Sequence, residues 1–195
     1  MNTASKKSKF AVLLVIVAAC LSVSAREKNE TIDATAYGTS TQLGRNVGVT
    51  VIIYEWPTPE DRQVWLEVFQ KGQNQGLVNA LQKMKAVGRI QIPGTLGYDL
   101  SFIRLIPQPN GRKIRFVTNR KITFGEAYTD SQSQSFDLTA GELDINDQDK
   151  SKSSTGVLYP ASQLAINKVG ELQIELNQNA WRLSNIIDWK GTAQN

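Results

Sequence analysis

Two blocks of opposite charge adjoin each other in the sequence. Between Ser101 and Gly125 lie six basic residues, Arg104, Arg112, Lys113, Arg115, Arg120 and Lys121, with no acid. Between Glu126 and Asp149 lie seven acids, Glu126, Asp130, Asp137, Glu142, Asp144, Asp147 and Asp149, with no base. Six cations on one strand face would recognise an anionic partner: a phospholipid head group, an acidic polysaccharide or lipopolysaccharide. The other reading makes the blocks neighbouring strands whose solvent faces pair across the sheet, at about 0.2–1 kcal/mol per pair.

Other chemistries are limited by what the chain lacks. It has no His and one Cys. Ser-His-Asp and Cys-His catalysis both need an imidazole, and zinc, non-haem iron and blue-copper sites need His or Cys ligands. Carboxylates, Lys, Tyr, Ser/Thr and oxygen-ligated Ca²⁺ or Mg²⁺ remain. Asp144 to Asp149 resembles a calcium loop in composition only. Counted from Asp144, the sixth and twelfth places of an EF-hand hold Asp149 and Thr155 instead of Gly and Glu. Gly38 to Gly44 lacks the Gly-Lys-Ser/Thr ending of a phosphate loop. No metal site and no cofactor are expected. A carboxylate pair could still hydrolyse a glycosidic bond without His. Glu55, between Tyr54 and Trp56, is the most suggestive single acid for it. Near the C-terminus, Trp181, Leu183, Ile187 and Trp189 fall on one face of a strand, either lining an apolar cavity or simply filling the core.

The N-terminus reads as an export signal, residues 1–25. Lys6, Lys7 and Lys9 precede an uncharged run from Phe10 to Leu21, and Val23-Ser24-Ala25 is a small-residue cleavage site. The run is shorter than the roughly 20 residues a bilayer needs, so no transmembrane segment is expected in the mature chain. Val17-Ala18-Ala19-Cys20 also resembles a lipobox, which would place a lipid anchor on Cys20. Lys6, Lys7 and Lys9 leave with the signal, so of 22 basic residues 19 remain against 18 acidic ones. That near-neutral balance argues against a nucleic-acid partner.

These residues must be positioned by strands. After a polar tail at 26–31, a single globular domain is expected over 32–195, α+β and mainly antiparallel, barrel- or sandwich-like with eight to ten strands. Strands are predicted at Ile32 to Tyr37, Val47 to Glu55, Arg89 to Ile92 and Tyr98 to Ile106, the last with a phase slip that suggests a bulge. Pro109-Asn110-Gly111 reads as a hairpin turn using positive φ, followed by a strand through Ile114 and Phe116. Further strands are predicted at Lys121 to Glu126 and at Ser135 to Ile145, the latter with a bulge at Gly141. Leu172, Ile174 and Leu176 alternate with polar residues, and the last strand runs through Trp181 to Trp189. Between the second and third strands a helical hairpin is expected. Its first helix has Thr58 as N-cap, Pro59 at the first position, Asp61 at the capping-box position and an apolar stripe of Val64, Trp65, Val68 and Phe69. Gly72 would stop it, and a second helix would follow from Gln75 to about Ala86.

The stretches Gly72-Gln-Asn-Gln-Gly-Leu-Val-Asn-Ala-Leu-Gln-Lys-Met-Lys-Ala-Val-Gly88 and Ile114-Arg-Phe-Val-Thr-Asn-Arg-Lys-Ile-Thr-Phe-Gly125 resemble a group of uncharacterised secreted proteins of acidobacteria. The resemblance implies export from a Gram-negative-type cell and carries no activity or site residues. The expectation is therefore an exported periplasmic or envelope module that binds an apolar or anionic envelope component or a protein, with a His-free carboxylate hydrolase as the alternative.

Overall fold

The computed structural model describes residues 29–39, 43–122, 138–148, 152–168, 172–178 and 180–189. The export signal with Cys20, and the predicted strand at 121–126 beyond Ile122, lie outside them. Among the described residues there are nine strands and one helix: β1 Glu30–Gly38, β2 Asn46–Ile53, α1 Pro59–Leu81, β3 Gly88–Gln91, β4 Tyr98–Gln108, β5 Gly111–Thr118, β6 Leu138–Asn146, β7 Thr155–Ile166, β8 Leu172–Gln178 and β9 Trp181–Asp188. The expected tail at 26–31 is shortened, because Glu30 and Thr31 belong to β1.

Every strand pairing is antiparallel, and the order β6-β5-β4-β3-β2-β1-β9-β7-β8 carries an additional β6–β7 pairing. That pairing closes an eight-stranded barrel, β1-β2-β3-β4-β5-β6-β7-β9, from which β8 projects. One edge of β7 explains the projection. Gly156 to Leu158 pair with β9, while Ala161 to Ile166 pair with β8, so β8 and β9 are two segments of one interrupted partner strand. Pro160 sits between the two partners, where its missing N–H costs no ladder bond on that edge. Its carbonyl accepts from Thr139 Oγ1 at 2.6 Å.

Period-two alternation fills the barrel. Ile32, Ala34 and Ala36 of β1, Val49, Val51 and Ile53 of β2, and Ile114 and Phe116 of β5 join one buried cluster with Trp181 and Leu183 of β9. Eight strands leave an interior just wide enough for side chains. The strand through Tyr98 does bulge, with its register shifting between Leu100 and Phe102. Leu100 and Ile103 therefore face inward while Phe102 faces out.

A second core lies outside the barrel. Trp65, Leu77, Val78 and Leu81 of α1 pack over Phe102, Val117, Leu138, Ala140 and Leu164 from β4 to β7. The rings of Trp65 and Phe102 stand 4.9 Å apart at 57°. The helix starts as its sequence predicts: Asp61 N donates to Thr58 Oγ1 at 3.2 Å and Thr58 N donates to Asp61 Oδ2 at 2.8 Å. The expected hairpin is instead a single helix from Pro59 to Leu81. A glycine in a helix interior costs about 1 kcal/mol and does not by itself end the helix. Val64, assigned to the apolar stripe, is exposed.

Close approach is tightest at Gly111 and Gly141. The hairpin turn between β4 and β5 is Pro109-Asn110, and neither residue has positive φ. Gly111 follows because a Cβ there would lie 2.0 Å from the Ile145 carbonyl of β6. Gly141 is not a bulge; the shift in β6 lies between Leu138 and Ala140. Gly141 leaves room for the ring of Phe116, whose Cζ would meet an added Cβ at 2.1 Å.

Candidate functional site

Strand alternation divides the basic block. Arg112 pairs in register with Ile145, and Ile114 with Leu143; these three apolar residues are buried, so Arg112 points into the barrel. It bonds both carboxylate oxygens of Glu30, the second through Nη1 at 3.0 Å, and also bonds Asp188, while Nε lies 3.4 Å from Asp147 Oδ2. β1 and β5 are four strands apart in either direction around the ring, so the Arg112–Glu30 contact spans the barrel end. The Arg112 side chain is 12% exposed. Burial by itself would lower the guanidinium pKa; the bond to Glu30 and the charges of Glu30, Asp188 and Asp147 outweigh it, and the pKa is raised.

Asp188 reaches this cluster through a bulge. In β9, three steps from Ser184 to Ile187 oppose two steps from Thr35 to Asp33 in β1. Asn185 takes up the extra residue with φ 53°, a left-handed conformation that Asn tolerates better than most residues. Its Nδ2 donates to Tyr37 Oη at 3.1 Å. The bulge reverses every side chain beyond it. Trp181 and Leu183 are core, 1% and 2% exposed. Ile187 and Trp189, expected on the same face, are outside at 50% and 41%. Trp189 Nε1 donates to Asp33 Oδ2 at 2.8 Å, and Thr50 Oγ1 to Asp33 Oδ1 at 2.6 Å. The four do not line one cavity.

Outside the barrel, Lys113 faces Asp144 and Arg115 faces Glu142 across β5–β6. Lys113 Nζ bonds Glu142 and lies 3.3 Å from Asp144 Oδ1; Arg115 Nε donates to Glu142 Oε2 at 2.6 Å. Burial pushes the Glu142 carboxyl up, but its bonds from Lys113 and Arg115 prevail and hold it below its usual value. Lys113 is raised, chiefly by its bond to Glu142. The charge blocks thus meet as cross-strand pairs where both are described.

The remaining candidates lie elsewhere. Arg104 stands opposite Arg115 across β4–β5. Arg120 covers the Tyr98 ring, 4.5 Å from its centroid, and donates to the Gly97 carbonyl at 3.3 Å. Lys121 precedes the buried Ile122. The six cations do not form a single surface. Glu55 accepts from Lys85 Nζ at 2.8 Å as an exposed pair.

A groove missed by the sequence reading lies beside the charge ladder. It has a volume of about 270 Å³ and runs over β5, β6 and β7 beneath β8. Phe102, Val117, Ala140, Leu164 and Ile174 line it with apolar surface; Arg115, Glu142, Tyr159 and Gln173 supply its polar groups. Burial, then the charge of Glu142, raises the Tyr159 pKa, so its hydroxyl stays protonated. The available signal was the pairs Phe102-Ile103 and Phe116-Val117. Adjacent apolar residues in one strand face opposite sides, so the barrel's outer face had to be covered there too.

The chain matches no family model, no curated protein and no solved structure. Among the described residues, no helix is long and apolar enough to cross a membrane.

Proposed function

We propose that this chain is an exported binding module of the periplasm or cell envelope that seats the apolar part of an envelope component in the groove beneath β8. One observation carries the reading: the barrel interior is occupied by its own side chains, whereas the outer groove combines an apolar floor with an open polar rim. Its lining is shared between apolar and polar groups, so it can seat an apolar segment beside a polar one. The export signal and the resemblance to secreted acidobacterial proteins support the location. The hydrolase reading has less behind it. Glu30 and Asp188 are bound by Arg112, and Glu142 is held below its usual pKa, opposite to what a general acid needs.

Native mass spectrometry tests the reading on protein purified from the envelope of a Gram-negative host. The expected result is a processed chain carrying a non-covalent excess. Ile174→Trp, which would lay a larger ring over the groove, is expected to remove that excess. A bare mass for the parent protein, or an excess that survives Ile174→Trp, would sink the groove as the binding site.

A further inference from the structure

Resting on that groove reading, we propose that the ligand is a medium-chain carboxylate, its head held by Arg115 and its chain by the apolar floor. Arg115 spends only Nε on the protein, in the bond to Glu142. Its two terminal nitrogens make no hydrogen bond or ion pair among the described residues, and Arg115 lines the groove. A guanidinium anchored through Nε presents those nitrogens as a planar fork, the geometry that receives a carboxylate through two parallel bonds. Tyr159 adds a protonated hydroxyl that makes no hydrogen bond within the described residues.

The local charge agrees. Glu142 is the acid of the groove, and Lys113 and Arg115 both bind it. At about 270 Å³ the groove falls at the small end of ligand pockets, suited to one short chain and not to a two-chain lipid.

The test is calorimetric titration of the full chain, as processed by its expression host, with decanoate, decanol and acetate, together with methyl NMR at Val117 and Leu164. Decanoate is expected to bind and to shift both methyl sets. Decanol and acetate are each expected to bind about tenfold more weakly or worse, as the loss of a charge-assisted bond or of the apolar contact demands. Arg115→Gln is expected to lose about tenfold for decanoate and nothing for decanol, with Arg115→Lys recovering part of the loss. Equal binding of decanoate and decanol, unchanged by Arg115→Gln, would overturn the carboxylate while leaving the groove standing. Equal binding of acetate and decanoate would reduce the site to an anion contact and overturn the chain-binding half. Titrations that leave the Val117 and Leu164 methyls unmoved would defeat the groove reading itself. Should Arg115→Gln not fold, the decanoate-to-decanol ratio on the parent protein decides alone, and Tyr159→Phe, expected to weaken decanoate severalfold, gives the second variant.

Discussion

Arg112 and Lys113 are neighbours in β5 and carry the same charge, yet one plugs the barrel end and the other lies on its outer wall. Both bind more than one carboxylate. What separates them is water. Ions withdrawn from solvent must be matched, because a lone buried charge costs several kcal/mol. Lys113 and Glu142, 22% and 24% exposed, keep more contact with water, so their pairing is partly screened and contributes on the order of 1 kcal/mol. The same block of basic sequence therefore fastens the barrel end on one face and builds a cross-strand charge ladder on the other.

The largest expected effect breaks the inner side of this comparison. Arg112→Met leaves Glu30 and Asp188 without their shared cation and is expected to destabilise the fold by about 3–5 kcal/mol, measured by urea denaturation. Combining Arg112→Met with Glu30→Leu and Asp188→Leu is expected to recover most of that loss, since the penalty comes from orphaned charge. If the triple variant proves no more stable than the single one, packing and not charge holds that end.

Gly141→Ala comes next, at about 1–3 kcal/mol, because the new methyl would overlap the Phe116 ring. Phe116→Leu in the same chain is expected to relieve part of the clash, which thermal unfolding would register. Asn185→Val places a β-branched residue at φ 53° and gives up the Tyr37 bond, for about 1–3 kcal/mol. Asn185→Gly is expected to cost much less, and equal losses from both would mean that the left-handed backbone is unimportant there.

Lys113→Met probes the outer side and is expected to cost less than about 1 kcal/mol, since Arg115 still binds Glu142. Its pH signature is the sharper readout. Glu142 has a folded pKa below its ordinary value, so its contribution is complete above about pH 4.5 and is lost as pH falls through the folded value. Lys113 has a raised folded pKa, so its contribution is complete below about pH 10.5 and is lost as pH rises through the folded value. Denaturation midpoints across pH should lose the alkaline limb in Lys113→Met and flatten the acid limb in Glu142→Gln. Unchanged profiles in both would mean that the ladder adds nothing to folding.

Much of the fold was legible because it rests on local rules. Alternation in the fifth and eighth strands, the Thr58–Asp61 box and the phase slip in the fourth strand each carry their own signature. The features that went unread depend on partners distant in the chain. Nothing near Asn185 announces that Asp188 must turn inward to meet an arginine 76 residues away. Pro160 is accommodated inside a strand only because β8 and β9 divide one edge of β7 between them. The groove stayed hidden for the same reason: its walls come from β4, β5, β6, β7 and β8, and only closure of the barrel brings them together.

That closure also orders events in time. β1 pairs along its length with β9, the first described strand with the last. The ring cannot shut while β9 is still being made, and such distant pairing is the slow step of a β fold. Until then Ile32, Ala34 and Ala36 lack one of the two strands that flank them. Local hairpins such as β1–β2 and β4–β5 need no such wait, so the barrel is a shape the chain acquires last, when β9 becomes free to meet β1.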